Sequence, residues 1–408
     1  MSLISVLRTG VSGMNAQSSR ISTVAENIQN AGTTGYKRTG TEFSSLILDS
    51  SSTGDYNSGA VETVIRRSVS AQGPVSFTTS KTDLAIQGNG FFVVRDSNNA
   101  TSLTRSGNFV EDGPTGNLVN SGGFTLMGYA VGENGEATPA LNSTANMVPV
   151  NVSTLGMRAT ATKAATISGN LPADAAPLAA PLSDTVYTKK TSMVTYDQLG
   201  NKVTLDIVLG KSPTANQWQA QVYVPGNNTA LATVTLGFDA NGQISDPAAV
   251  TAAVSRLAAA NGTSINLDMS KITQLAGSYD LKGTADGKAP SAVTGSDFAS
   301  DGSVYALYED GSRALAFKVP LANVASPDNL EPRAGNIYLP TSTSGDLQIG
   351  FAGLSGLGSI KSSALEQSNV DVSSELTAMI ESQSVYTANS KVFMTGNELL
   401  ETLMNLKR

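Results

Sequence analysis

The sequence predicts a mixed, mainly β fold in which N- and C-terminal α-helices form a coiled-coil domain and nested antiparallel β domains lie between them. Three observations predict it. Apolar residues at heptad spacing are confined to the two ends of the 408-residue chain. Between them, short runs alternate with period two and are punctuated by Gly, Asn and Asp, with 39 Gly in all. Cys and His are absent altogether, so no disulfide framework shapes the fold.

At the N-terminal end Leu3, Leu7, Gly10, Met14, Gln17, Ile21, Val24 and Ile28 follow alternating spacings of four and three. Leu3, Leu7, Met14, Ile21, Val24 and Ile28 are its apolar packing candidates, while Gly10 and Gln17 interrupt the stripe. The turn residues of Asn30-Ala-Gly-Thr-Thr-Gly35 end the helix.

The middle reads as strands. Asp83 to Val94 suggests two strands joined across Gly88-Asn-Gly90, and Asn117 to Tyr129 repeats the design around Gly122-Gly123. A hairpin is expected at Tyr196 to Lys202, leading into Val203–Leu209, and Gln217–Val224, Ala232–Leu236 and Ser303–Tyr308 alternate with period two. Boundary candidates are the Ser/Gly-rich stretch Asp49 to Gly59, the Ala/Pro stretch Leu171 to Leu182, read as a surface excursion or linker, and the Gly-rich stretch Gly345 to Ser359.

At the C-terminal end Val372, Leu376, Met379, Gln383, Tyr386, Ser390, Phe393, Asn397, Leu400 and Met404 repeat the heptad alternation. A second stripe, Val385, Val392, Leu399, Leu403 and Leu406, lies beside it, so the apolar face is wider than a two-stranded coiled coil needs. Asp371 or Ser373 can cap this helix, and Glu375 sits where negative charge suits the helix dipole. Two readings of the heptads stand side by side: an intramolecular antiparallel pair closing one domain, or surfaces buried only among neighbouring subunits. The double stripe favours assembly, because one partner helix cannot cover both seams.

Composition removes most chemistry. Without His or Cys there is no Ser-His-Asp or Cys-His nucleophile, no Cys/His zinc site, and only carboxylates, Lys, Tyr and hydroxyls remain. With 26 basic and 33 acidic residues the net charge is −7, and no cluster of Lys and Arg marks a nucleic-acid surface. Charged residues make up 14%, against about 25% in average proteins, so the surface is polar but weakly charged. Met1 to Arg8 lacks a basic n-region and is not a usual secretory signal, and no apolar run is long enough to span a membrane. Asp239 to Asp246 fails as a calcium loop, having Ile244 and Val250 where Gly and Glu belong, and reads as a hairpin turn. Gly88-Asn-Gly90 precedes a strand rather than a helix, which argues against a dinucleotide loop. Gly353-Leu-Ser-Gly-Leu-Gly358 is expected to lead into the C-terminal helix within a turn or two as a flexible connection, and it lacks the P-loop Lys. One Trp, Trp218, and few aromatics argue against a carboxylate glycosidase, and the acceptor patterns at Asn142 and Asn261 read as chance. No catalytic residue, metal site or cofactor is expected.

Several blocks, in order, resemble a known family. Val11-Ser-Gly-Met-Asn-Ala-Gln17 followed by Asn27-Ile-Gln-Asn-Ala-Gly-Thr-Thr-Gly-Tyr-Lys37 resembles the N-terminal signature of bacterial flagellar rod and hook proteins, with Asn27, Asn30, Gly35, Tyr36 and Lys37 as its motif residues. Asp83 to Val94, Thr104-Arg-Ser-Gly-Asn-Phe109 with Gly116 to Asn120, and Leu365-Glu-Gln-Ser-Asn-Val-Asp371 onward to Arg408 are similar to later blocks of that family. The long β-rich insert Pro149 to Ala292, with Asp301 to Gly311 and Gly335 to Tyr338, resembles hook members rather than the shorter distal rod protein.

The resemblance implies a structural, non-enzymatic subunit of a short curved tube that carries motor torque from rod to filament. It implies a homopolymer outside the cell, exported unfolded by the flagellar type III apparatus without signal cleavage, and built under a hook cap protein. The distal rod protein and a hook–filament junction protein would be its neighbours. The implied division is a helical domain of residues 1–30 plus 364–408, a connecting segment of 31–70 plus 356–363, an inner β domain of 71–148 plus 293–355, and an outer β domain of 149–292. The N-terminal candidates would pack against Val372, Leu376, Met379, Tyr386, Phe393, Leu400 and Met404, within and between subunits. A distal rod protein and a non-flagellar extracellular binding module are the alternatives.

Limited proteolysis of the monomer is expected to remove both ends and spare roughly residues 70 to 360. Ends that resist protease would favour the purely intramolecular pair.

Overall fold

The computed structural model describes residues 3–45, 60–132, 143–254 and 264–406, with only the backbone of residues 3–5, 252–254 and 406. The boundary stretch at Asp49 to Gly59 and the acceptor residues Asn142 and Asn261 lie outside the described residues. The chain forms two compact units, one of residues 1–155, 295–307 and 313–408, the other of 156–294 and 308–312.

The first unit holds both long helices, α1 (Leu3–Gln29) and α2 (Val372–Leu406), with a two-stranded antiparallel ribbon of β1 (Thr39–Ser45) and β2 (Val61–Arg67). Asn30 stops α1 as the turn residues predict: its side-chain amide donates to the Glu26 carbonyl at 2.9 Å and its Oδ1 accepts from Thr33 Oγ1 at 3.2 Å. Asp371, not Ser373, caps α2, its Oδ1 accepting from the Ser373 and Ser374 amides at 2.8 and 3.2 Å.

A large antiparallel sheet in this unit runs in the order Arg313–Lys318, Thr125–Ala130, Phe91–Arg95, Thr101–Thr104, Ile337–Leu339 and Glu331–Arg333. Phe91, Val93, Leu103, Met127, Tyr129, Val324 and Tyr338 fill its core, the Phe91 and Tyr338 rings 5.9 Å apart. Two short ladders then bind the outgoing chain to the returning chain: Leu84–Gln87 with Ser359–Ser362, and Val75–Phe77 with Ala364–Glu366.

Two sequence expectations change here. Leu84–Gln87 and Phe91–Arg95 are not partners across Gly88-Asn-Gly90: the first pairs with Ser359–Ser362 and the second with Thr101–Thr104, Thr125–Ala130 and Pro320–Asn323. Period two identifies a strand but not its neighbour, and Gly88 and Gly90, at φ of 103° and 119°, turn the chain from one sheet to another. The cluster Gly353 to Gly358 does not lead into the helix. It is the turn between Gln348–Phe351 and Ser359–Ser362, and the strand Ala364–Glu366 still precedes α2.

The second unit has two four-stranded sheets. One is the antiparallel meander Lys189–Tyr196, Lys202–Lys211, Gln217–Tyr223 and Ala232–Gly237, containing the predicted hairpin with Tyr196 opposite Lys202. The other orders Thr251–Val254, Ile265–Leu275, Ala164–Pro172 and Asp280–Ala285, and its two central strands run parallel, an exception to the antiparallel expectation. Leu171 and Pro172, assigned by sequence to the Ala/Pro excursion, end one of those central strands and are buried. The residues after them stay with the unit, the Leu178 amide donating to the Lys211 carbonyl at 2.9 Å. Asp239 to Asp246 is a turn, with Asp239 Oδ1 accepting from the amides of Asn241 and Gln243 at 2.9 and 2.8 Å.

One core draws on both sheets: Leu205, Ile207, Trp218, Ala220 and Val222 from the first, Ile167, Ile265, Leu267 and Met269 from the second. Trp218 is the largest fully buried side chain. Trp218→Ala is expected to destabilise this unit by about 3–5 kcal/mol, read by urea unfolding followed with circular dichroism. A loss below about 1 kcal/mol would show that the core does not depend on the indole.

Candidate assembly interface

The two helices pair antiparallel. Arg20 and Glu381 meet at 3.0 Å, Asn27 donates to Glu375 at 3.1 Å, and a Cβ added to Gly396 would come within 2.8 Å of Leu7. The seam is built largely from small and polar residues, with Leu7 and Val24 of the apolar stripe among them. On α2, Glu375, Ser382 and Gly396 are buried and Asn389 half-buried, four positions seven residues apart. On α1 the buried heptad is Gly10, Gln17 and Val24, so the two residues that interrupted the apolar pattern are the ones facing inward. Glycine lets the backbones close up: a Cβ on Gly13 would lie 2.7 Å from Asn389 Nδ2. The opposite side of α1 rests on the ribbon, with Thr23 and Thr41 hydroxyls 2.7 Å apart and Ser12 Oγ accepting from the Val61 amide at 2.8 Å.

The predicted packing residues divide accordingly. Val24 is buried, and Leu7, Met14, Ile21, Ile28, Met379, Phe393 and Leu400 are half-buried. Val372, Leu376, Tyr386 and Met404 were expected to pack against α1, but within the chain they remain exposed. Leu3 is described only by its backbone. Ile380, Val385, Val392, Met394, Leu399 and Leu403 are exposed too, and Leu403 and Met404 keep 59% and 70% of their surface in water. Val385, Val392, Leu399 and Leu403 recur at intervals of seven, seven and four, a stripe alongside the polar seam.

Beneath the helices lies a buried polar junction. Asn27, fully buried at the end of α1, donates to the Thr39 carbonyl at 2.7 Å and to Glu375 Oε2, while its Oδ1 accepts from the Thr39 amide at 2.9 Å and Tyr36 Oη at 3.2 Å. Arg38 Nε donates to Glu375 Oε1, and the Arg38 amide donates to Asn369 Oδ1 at 2.7 Å. Below this, the Glu366 carboxylate accepts from Lys37 Nζ at 2.6 Å, Arg105 Nη1 at 3.1 Å and the Gly73 amide at 2.9 Å. Lys37 also donates to the Ala71 carbonyl at 2.6 Å. Gly35, at φ 71°, brings its amide to the Glu366 carbonyl at 2.8 Å, and a Cβ there would lie 2.6 Å from the Ser106 amide nitrogen. Three of the five motif residues, Asn27, Gly35 and Lys37, therefore bond directly to the C-terminal block, Tyr36 supports Asn27 from behind, and Asn30 serves the helix end alone.

Burial pushes the Lys37 ammonium below its usual pKa, Glu366 offsetting only part of that and Arg105 adding to it. Burial likewise raises the Tyr36 and Tyr338 phenols. Glu366, Arg105, Asn369 and Glu375 were not singled out from sequence as partners of this motif. For Glu366, Arg105 and Glu375 the signal is their charge in a chain with few charged residues, whereas the uncharged Asn369 carries none. Among the described residues no cluster of His, Cys, Asp or Glu could hold a metal ion, and no helix is long and apolar enough to cross a membrane.

Sequence comparison gives this arrangement a family context. Residues 7–37 match the profile described as flagella basal body rod protein, and residues 85–159 match flagellar hook protein FlgE/F/G D1 domain. Residues 167–287 match flagellar basal body protein FlaE D2 domain, and 361–406 match flagellar basal body rod FlgEFG protein C-terminal. The chain is 48% identical to the flagellar hook protein FlgE of Rhizobium meliloti and 45% identical to that of Brucella abortus, with all of each chain covered. It is 30% identical to the Escherichia coli protein of that name, over 97% of this chain and 98% of the other.

Glu366→Ala leaves two cations buried without their carboxylate and is expected to destabilise the first unit by about 3–5 kcal/mol. Glu381→Ala, which removes a solvent-exposed pair, is expected to cost less than about 1 kcal/mol. Equal losses for the two in chemical denaturation would contradict the assigned burial.

Proposed function

This chain belongs to the flagellar hook protein family, and we propose that the exposed apolar flanks of α2 are the surface through which its copies join. The protein is a structural subunit of the flagellar hook. The family is a structural one, and its place is the flagellum. In the proposed polymer, a short curved tube acting as a universal joint between rod and filament, neighbouring helices cover what α1 leaves bare.

The observation that carries this reading is the partition of α2. Its inward face is Glu375, Ser382, Asn389 and Gly396, while Val385, Val392, Leu399, Leu403 and Met404 stand in water. Burying one Leu-sized side chain contributes about 1.5–3 kcal/mol, so several per subunit supply strong cohesion. The chain has no cysteine, so no sulfur cross-link takes part. Torque would pass along these packed helices, and the weakly charged β surfaces would shift over one another without breaking strong ion pairs.

The remaining partners follow from the family reading: the distal rod protein on one side, the hook–filament junction protein on the other, and the hook cap protein during growth. Export as an unfolded chain by the type III apparatus, to an extracellular destination and without signal cleavage, belongs to the same proposal.

Leu399→Asp combined with Leu403→Asp is expected to leave a folded monomer, unchanged in circular dichroism, that no longer forms tubes in electron micrographs. Phe393→Asp and Leu400→Asp should also abolish tubes while disturbing the α1–α2 pair. Normal tubes from the Leu399/Leu403 variant would overturn the assignment of this surface.

A further inference from the structure

We propose that Met394 and Met404, on the uncovered faces of α2, are modification sites for a peroxide, and that their conversion to sulfoxides takes a subunit out of assembly. The oxidation rests on exposure alone; its effect on assembly rests on the α2 surface proposed above.

With no cysteine in the chain, the methionine thioethers are the only sulfurs a peroxide can attack. The single tryptophan, Trp218, is fully buried. Burial then sorts the methionines. Met127 and Met147 lie in the core of the first unit, Met193 and Met269 in that of the second, and none is more than 4% exposed. Met14 and Met379 are half-buried. Met157, Met394 and Met404 keep 69%, 52% and 70% of their surface in water. Among the described methionines these three are open to a reagent in solution, and two of them stand on α2, the helix that also exposes Val392, Leu399 and Leu403.

The chemistry needs only hydrogen peroxide or another peroxide as oxidant. The thioether sulfur attacks one peroxide oxygen, the O–O bond breaks, an S–O bond forms, and the second oxygen leaves as water. Sulfur is oxidised by two electrons and the peroxide is reduced by two. The product replaces a flexible apolar side chain with a polar one whose oxygen is a strong acceptor. In the monomer that oxygen stays hydrated, so the fold is not disturbed. Pressed into an apolar contact with a second copy, it gives up its water where Val and Leu side chains offer no donor in return. The same two side chains are therefore harmless to the subunit when oxidised and harmful to its packing.

The test treats full-length monomer with dilute hydrogen peroxide and follows each methionine by peptide mass spectrometry. Met394 and Met404 are expected to gain oxygen about tenfold faster than Met127 and Met269, or more, with circular dichroism unchanged; equal rates overturn the proposal. After removal of peroxide, the oxidised monomer is expected to form no tubes in electron micrographs. Met394→Leu combined with Met404→Leu, which removes both sulfurs and retains Met157, is compared with its own untreated sample and is expected to keep its tube yield. Normal tubes from unsubstituted protein carrying both sulfoxides overturn the proposal, as does an equal loss in the double variant. In preformed tubes both methionines are expected to be protected, and undiminished rates there place them outside the contact and overturn it as well. The two readings fail separately. Tubes from the Leu399/Leu403 variant sink the assembly surface while rapid oxidation at Met394 and Met404 stands. Tubes from oxidised protein but none from that variant leave the surface standing and sink this inference.

Discussion

The Glu366 carboxylate holds together stretches of chain more than 250 residues apart. It accepts from Lys37 just after the first helix, from Arg105 just past the strand Thr101–Thr104 and from the Gly73 amide between them. All three donors and the acceptor are removed from water, so the ions stabilise the structure only in combination: take one away and the others are left charged in a low-dielectric interior. The Asn27–Glu375–Arg38 cluster repeats the principle one layer higher, tying the end of α1 to the first turn of α2. Together the two clusters set where the helices leave the β unit, and hence which of their faces meet.

That constraint explains the seam. With Asn27 opposite Glu375, an antiparallel pair must continue through Arg20 and Glu381 to Gly13 with Asn389 and Leu7 with Gly396. Polar and small side chains at such positions specify register at some cost in stability, and they spend little apolar area on contact within the chain. The apolar residues on either side remain available. A subunit that used its leucines to close its own helix pair would have little left for its neighbours.

The β units are built differently. Their cohesion comes from apolar cores around Trp218 in one and Phe91, Tyr129 and Tyr338 in the other, and their surfaces are rich in Ser, Thr, Asn and Gly. With 14% charged residues over the whole chain, few strong ion pairs are available at those surfaces, and Arg66–Glu42, Lys282–Asp280 and Arg333–Glu331 are exposed on both sides. Exposed pairs of this kind contribute little to stability. The strong electrostatics are concentrated where the helices enter.

The fold class, the helix at each end and most strand positions were legible in the sequence, because heptad spacing, period-two alternation and turn residues are local properties. Asn30 ends a helix and Asp371 begins one for reasons contained within a few residues of each. The motif Asn27, Gly35, Tyr36 and Lys37 could be found as a pattern, and the family blocks indicated what kind of protein carries it. What the motif touches could not be read, since Glu366 and Arg105 are separated from Lys37 by most of the chain and only folding brings them within hydrogen-bonding distance. For the same reason the sequence marked Leu84–Gln87 and Phe91–Arg95 as strands without showing that each pairs elsewhere. The helix seam is the sharpest case: hydrophobic spacing identifies the faces that avoid water, but the buried junction decides that Gly10, Gln17, Asn389 and Gly396 turn toward each other and leave Leu376, Leu399 and Leu403 outside.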